Sequence, residues 1–194
     1  MLEFIQLMKK EFPKRGWVLD IGCGDGRNSI PFAEAGFKVH AIDRDANEIK
    51  ALLQRTKSSK SKNIFAQAGD FRNIKFKKKY AVILCSGVLH TLSEKGVEDF
   101  IRKMKRITEE NGFHYVSVQL KHPKVTKVRE HRLFDKMELK KRYGDWSIVA
   151  YAETPLRLDS GHPFSQDPRF RKAHYHKNAR LIARKNSREN IKFR

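Results

Sequence analysis

The sequence predicts an α/β fold in which a parallel sheet is covered by helices on both faces. Three observations carry that expectation. Short apolar runs alternate along the chain with segments of helical periodicity, the pattern of buried strands joined by crossover helices. The first apolar run, Val18-Leu19-Asp20-Ile21, ends in glycines at 22, 24 and 26. The later runs close on polar residues or glycine: Asp43, Asp70 and Ser86 follow the second, third and fourth. Ligands of such sheets bind beyond the carboxyl ends of the strands, so Gly22, Asp43, Asp70 and Ser86 converge on one edge.

Taken in order, the chain opens with Met1, Ile5, Met8 and Phe12 at helical spacing, a docking helix over 2–12 without signal-peptide architecture. A first strand is expected near 16–21 and a helix over 27–35, started by the polar residues after the glycines. The run Val39-His40-Ala41-Ile42 gives a strand at 38–42, followed by a helix over 46–57. Strands near 63–68 and 80–85 come next, the latter apolar throughout and therefore buried on both faces. A helix over 94–108, a strand at 112–119, a helix over 135–143 and strands at 146–152 and 175–184 complete the fold. No internal repeat or long linker interrupts the series. A chain of 194 residues suits a single domain over 1–185, with 186–194 polar and basic enough to be a flexible tail.

The glycine loop points to a nucleotide-type ligand, because glycines let the backbone turn sharply and approach a ligand closely. The first helical N–H groups after Gly26 are expected to face it. The spacing is GxGxG, with Arg27 where a dinucleotide fingerprint needs glycine or alanine, and no Gly-Lys-Ser/Thr closes the loop as in a P-loop. Asp43 lies about 20 residues downstream, where a carboxylate can accept both ribose hydroxyls. Arg27, a cation that would oppose the dipole at a helix start, is expected to face cofactor or substrate.

With Gly69-Asp70-Phe71 and Ser86-Gly87-Val88-Leu89-His90-Thr91-Leu92 in the same order, the chain resembles the class I S-adenosylmethionine-dependent methyltransferases from about residue 16 to 119. The resemblance implies a Rossmann-like sheet of seven strands, mostly parallel with the last antiparallel. It implies S-adenosylmethionine as cofactor, with the glycine loop on the methionine part, Asp43 on the ribose, Asp70 on the adenine amino group and Phe71 against the ring. Tyr80 stands where the fourth strand often begins with aspartate, so that acid's role is not carried over. Gly-Arg-Asn-Ser at 26–29, Ala35-Gly36-Phe37, Val88-Leu89-His90, Glu138 to Trp146 and Ala179 to Lys185 resemble, more narrowly, the tellurite-resistance methyltransferase group. That implies a small, soft acceptor such as a chalcogen oxyanion or a thiol. The candidate cofactor-binding set is Asp20, Gly22, Cys23, Gly24, Gly26, Asp43, Arg44, Asp70, Phe71 and Ser86.

If the last strand is antiparallel, its beginning lies on the cofactor edge, and the connection from Glu153 to Ala173 sits over it. That connection holds His162, Arg169 and Arg171 and leads into His174-Tyr175-His176. Alternation puts His174 and His176 on one face. These histidines are read in three ways: exposed residues of an edge hairpin, groups orienting an anionic or soft acceptor, or a three-histidine metal site with His162. In the tellurite-resistance group this hairpin supplies active-site histidine and arginine, and His162 is the best positional match. No metal is assigned. The candidate catalytic set is His162, His174, His176, His90 and Arg27. His90 is the nearest base to the fourth strand if the acceptor is a hydroxyl or amide, and packing or capping is its alternative role.

The net charge is +20, which attracts polyanions and steers small anions. RNA is therefore a possible partner, although no RNP pattern or zinc knuckle accompanies the lysines at 57–62 and 75–79. Two cysteines, Cys23 and Cys85, suit a reducing, cytoplasmic setting, and no apolar run is long enough for a membrane span. A small-molecule methyltransferase is the leading expectation. An RNA or protein methyltransferase and a non-catalytic cofactor-binding regulator are the alternatives. Cys85-Ser86-Gly87-Val88 lacks the Asn/Asp-Pro-Pro-aromatic loop resembled by base-amine methylating enzymes, and no Pro-Cys pair for cytosine C5 chemistry is present.

Overall fold

The computed structural model describes residues 1–57, 62–125, 132–159 and 174–187. Its main sheet has seven strands. β1 (Trp17–Ile21), β2 (Lys38–Asp43), β3 (Ile64–Ala68), β4 (Tyr80–Ser86) and β5 (Thr108–Gln119) are parallel. β6 (Ser147–Glu153), β7 (Arg157–Asp159), β8 (His174–His176) and β9 (Asn178–Arg184) follow. The order across the sheet is β3-β2-β1-β4-β5-β9-β6, and β9 runs antiparallel to both neighbours. This is the mostly parallel α/β sheet with an antiparallel last strand that the sequence led us to expect.

Helices cover both faces. α1 (Leu2–Glu11), α2 (Ser29–Glu34) and α3 (Ala46–Lys57) pack on one, joined through Phe4, Ile5, Met8, Phe32, Ile49 and Leu52. α4 (Glu94–Arg106) and α5 (Glu138–Lys141) pack on the other through Val97, Phe100, Ile101, Met104 and Leu139. α4 shows the causes of its own formation most fully. Val97, Phe100, Ile101 and Met104 form one apolar stripe, Ser93 caps the start by accepting from the Gly96 N–H, and Lys103, Lys105 and Arg106 sit in the last turn. α1 is a docking helix, but it docks on Phe4, Ile5 and Met8 while Met1 is exposed.

Several boundaries differ from expectation for local reasons. α5 shrinks from 135–143 to four residues because Met137 takes a left-handed φ of 63° and blocks extension towards Asp135. β5 begins at Thr108, not 112, through a bulge around Asn111 (φ 59°), so Tyr80 pairs with Thr108 but Val82 with Phe113. The expected single strand at 175–184 divides at Lys177. β8 leaves the main sheet and pairs with β7, and β9 alone joins β5. Asn186, the first residue of the expected tail, accepts from Ser147 Oγ and donates to the Asp145 carbonyl. Residues 188–194 lie outside the described residues.

Beneath β5 a polar network is fully closed in the core. Thr108 Oγ1 donates to the Met104 carbonyl at 2.7 Å, which spends its only hydrogen. It must then accept from His114 Nε2 (2.7 Å), leaving His114 Nδ1 to accept from Tyr143 Oη at 2.8 Å. Burial, with Lys105 and Lys185 nearby, holds His114 well below the usual imidazole range, consistent with this neutral tautomer. The expected helix–strand segment Tyr143-Gly144-Asp145-Trp146 thus serves as a core anchor, with Trp146 at 4.4 Å from the His114 ring.

Candidate functional site

The glycine loop leaves β1 at Gly22 and turns through left-handed backbone at Gly22, Gly24 and Gly26 (φ 69°, 53° and 87°). Glycine is required at 22 and 26. A Cβ at 22 would lie 2.3 Å from Val88 Cγ2, and one at 26 would lie 2.1 Å from Leu52 Cδ1. Four N–H groups of the loop are already engaged within the fold. Gly22 and Cys23 both donate to the Ile42 carbonyl, Gly24 donates to Asp43 Oδ2 at 2.9 Å, and Gly26 donates to the Cys23 carbonyl. The helix that follows has six residues and starts only at Ser29. With these four N–H groups engaged, this stretch of the loop is poorly suited to a phosphate, which needs them free.

What the loop does present is negative charge. Asp20 is 1% exposed and accepts from Ser29 Oγ at 2.7 Å through Oδ2, while its Oδ1 has no hydrogen-bond partner among the described residues. Burial raises the Asp20 carboxyl to about 6; the Ser29 bond opposes this, Asp43 adds to it and Arg27 opposes it. Glu48, in the first turn of α3, is likewise raised by burial and then by Asp43, Asp25 and Asp45. The Cys23 thiol is pushed far up by burial, with Asp20 and Asp43 adding to the effect, so it is a neutral, packed thiol. Asp43 thus raises both Asp20 and Glu48, a concentration of negative charge within a chain of net charge +20. Such a place suits a cation.

Beside the loop a cleft opens over the carboxyl ends of β1, β2, β3 and β4. Gly22, Asp43, Arg44, Asp70, Phe71 and Ser86 from the candidate set line it. Asp43 is held rigid, accepting from Gly24 N and, through Oδ1, from Asp45 N at 2.9 Å, with lone pairs left for hydroxyl donors. Asp70 is engaged by Arg72, whose Nε and Nη2 reach its carboxylate at 2.5–3.0 Å. This pairing holds the Asp70 carboxyl below its ordinary range. Phe71 is buried, its ring 4.4 Å from Phe100, and Lys103 Nζ fixes the turn by donating to the carbonyls of Phe71, Arg72 and Ile74. Arg72, Val88, Leu92 and Phe100 also line the cleft. Sequence reasoning did not select them, nor Glu48. Phe100 reads as a core residue of α4, and the only signal for Glu48 is its first-turn position after β2.

The remaining candidates are placed unevenly. Asp20, Cys23, Gly24 and Gly26 shape the loop but do not line the cleft, and the Cys23 side chain turns into the core on the α1–α3 face. Arg27 is exposed on the turn before α2, outside the cleft lining. His90 lies in a single 3-10 turn, Leu89–Thr91, its ring 3.8 Å from where a Cβ on Gly87 would stand. His176 ends β8, and its Nδ1 pairs with Gln119 Nε2 at 2.8 Å, at the end of β5 on the cofactor edge. His174 belongs to the same short strand. His162, Arg169 and Arg171 lie outside the described residues, and with them the three-histidine reading. Among the described residues no group of three His, Cys, Asp or Glu could hold a metal ion.

The model of the family described as tellurite resistance protein TehB matches residues 6–162. The chain belongs to the TehB family. A probable S-adenosyl-L-methionine-dependent methyltransferase TehB of Haemophilus influenzae is 31% identical over 137 residues, 70% of this chain and 48% of that relative. The chain thus spans about half the length of that TehB relative. A crystal structure of TehB from Haemophilus influenzae superposes with a TM-score of 0.75 at 25% identity, covering 95% of this chain and 62% of the other. Magnesium protoporphyrin IX methyltransferase from Synechocystis, with bound S-adenosylhomocysteine, shares the fold at a TM-score of 0.72 and 18% identity, covering 95% and 80%. The TehB family is a class I S-adenosylmethionine-dependent group, and the site fits that cofactor. The orphan Asp20 Oδ1, the acid-lined loop and the glycine cradle match a cationic ligand with a nucleoside end, and no helix among the described residues is long and apolar enough to cross a membrane.

Proposed function

We propose that this TehB-family chain transfers a methyl group from S-adenosylmethionine to a small soft or anionic acceptor of the thiol or chalcogen-oxyanion type. The observation that carries the cofactor half is the glycine loop, in which the N–H groups of Gly22, Cys23, Gly24 and Gly26 are already engaged and Asp20, Asp43 and Glu48 stand close by. A pyrophosphate would be repelled there, and a sulfonium or ammonium would be attracted.

When bound, S-adenosylmethionine supplies a methyl group already activated by its sulfonium charge. The chain's own work is therefore positioning, which lowers a barrier by roughly 7–11 kcal/mol in favourable systems. Asp43, fixed by two backbone N–H groups, offers its free lone pairs to ribose hydroxyls. Ile21, Val88, Leu92 and Phe100 give the cleft an apolar wall against a purine and keep water out. Asp70 can accept from a purine amino group beside its Arg72 pairing. At the acceptor side, the end of β8 brings His176 to the cofactor edge, oriented by Gln119. An acceptor already anionic needs no proton removed, so a hydrogen-bond donor at that edge suffices. For a hydroxyl acceptor, His90 is the base.

The acceptor half is supported by the tellurite-resistance description of the family, and the lack of an Asn/Asp-Pro-Pro-aromatic loop after β4 speaks against base-amine methylation. Labelled methyl transfer to selenite, tellurite and a thiol panel tests it. Turnover on one of these supports the reading. Incorporation confined to RNA or protein, or none at all with cofactor bound, contradicts it.

A further inference from the structure

On the face of the sheet that carries α4, the outer strands are left open. α2, α3 and α4 make the crossovers β1 to β2, β2 to β3 and β4 to β5, but residues 69–79, between β3 and β4, form no helix. Parallel sheets normally have both faces covered. Here Phe65 of β3 is 51% exposed, tilted against Trp17 of β1 at 5.1 Å between ring centres. His40 and Gln67 lie beside them, hydrogen-bonded at 3.2 Å.

Two grooves flank the 69–79 segment on this face. One is floored by Trp17, His40, Phe65 and Tyr80, and the other runs along residues 72–79 to Arg106. Their cations include Lys75, Lys77, Lys78, Lys79 and Arg106, and among the described residues no carboxylate lines either groove. Lys78 Nζ lies 3.4 Å from the Trp17 ring centre and Lys38 Nζ 5.9 Å from it, so ammonium groups cluster on Trp17 beside the exposed Phe65 ring. Lys103 is committed to backbone carbonyls and is not part of this free charge.

We infer that this open face is a binding surface for single-stranded nucleic acid, with phosphates on the lysines of 75–79 and a base stacked on Phe65. Positive grooves with aromatic platforms are the common solution for such strands, because every base has a π-face. Of the floor rings, Phe65 is exposed, while Lys78 covers Trp17 and Tyr80 is buried. A single strand can lower an unstacked base onto Phe65, whereas a duplex keeps its bases stacked inside and a bilayer calls for apolar side chains that protrude. The partner therefore follows from charge complementarity and groove shape together, and the inference stands apart from the identity of the methyl acceptor.

Fluorescence anisotropy of the full chain with labelled oligoadenylate tests it, with polyglutamate and phosphatidylserine vesicles as competing polyanions. The expected result is binding that weakens with salt, and a loss of roughly 5- to 150-fold in Phe65→Ala, the worth of one stacked base. Phe65→Trp retains the affinity, and S-adenosylmethionine binding is unchanged in both. Lys77→Glu combined with Lys79→Glu weakens binding and flattens the salt dependence by about 0.7 for each phosphate no longer neutralised. The inference is overturned if polyglutamate or vesicles bind as tightly as oligoadenylate, or if Phe65→Ala binds as well as the parent.

Discussion

Replacing Asp20 by asparagine should strengthen the fold and weaken the site at once. The Asp20 carboxyl is moved from an ordinary 3.8 to about 6, first by burial and then by Asp43, against the Ser29 hydrogen bond and the Arg27 charge. An acid raised on folding costs nothing where both states are protonated, below about pH 4. The cost grows as pH climbs through that interval and is complete above about pH 6. Its full size is about 3 kcal/mol. Asparagine removes the charge but keeps an oxygen to accept from Ser29. Its amide then occupies the place of the orphan Oδ1, at a cost of about 1–2 kcal/mol for an unpaired buried donor. The net expectation at pH 8 is a protein about 1–2 kcal/mol more stable than the parent. Near pH 4 the advantage disappears or reverses. Urea unfolding of both proteins without cofactor, at several pH values between these limits, reads the difference. S-adenosylmethionine affinity should fall at pH 8, because a counter-charge is gone. A stability difference that does not change with pH would refute the reasoning, since it would mean that folding leaves the Asp20 carboxyl at its ordinary pKa.

Other outcomes follow from single contacts. Gly22→Ala places a Cβ 2.3 Å from Val88 Cγ2 at a left-handed φ; the backbone conformation alone costs about 1–2 kcal/mol, and both urea stability and cofactor binding should fall. Tyr143→Phe leaves His114 Nδ1 without its donor and should cost about 1–3 kcal/mol in unfolding, with cofactor affinity measured by calorimetry unchanged. Asp43→Ala removes the acceptor for Gly24 N and Asp45 N together with the ribose contact, and should lower S-adenosylmethionine affinity at least about ten-fold. Unchanged affinity would show that Asp43 does not touch the ribose.

Much of the fold was legible because its signals are local. Strands β1, β2 and β4 are apolar runs ended by glycine or a polar residue, and α4 carries both a cap and a clean stripe. The division of β8 from β9 was not legible, because Tyr175 to Arg184 reads as one extended run and only the pairing of β7 with β8 separates them. The shortness of α5 depends on the backbone of Met137, which composition does not reveal. At the site, the convergence of Gly22, Asp43, Asp70 and Ser86 was foreseeable from strand ends. The engagement of the loop N–H groups was not, since it requires knowing where the Ile42 carbonyl and the Asp43 carboxylate lie. Arg72 escaped for a similar reason: its role is to cover Asp70, a contact between neighbours that no motif records.

The central claim is that a glycine loop closed on its own N–H groups and ringed by Asp20, Asp43 and Glu48 holds a cationic nucleoside. Isothermal titration of the full chain with S-adenosylmethionine, repeated in the presence of NAD, tests this most directly. One-site binding left undisturbed by NAD is the predicted result. No binding of S-adenosylmethionine, or its displacement by the pyrophosphate-bearing dinucleotide, would contradict the account.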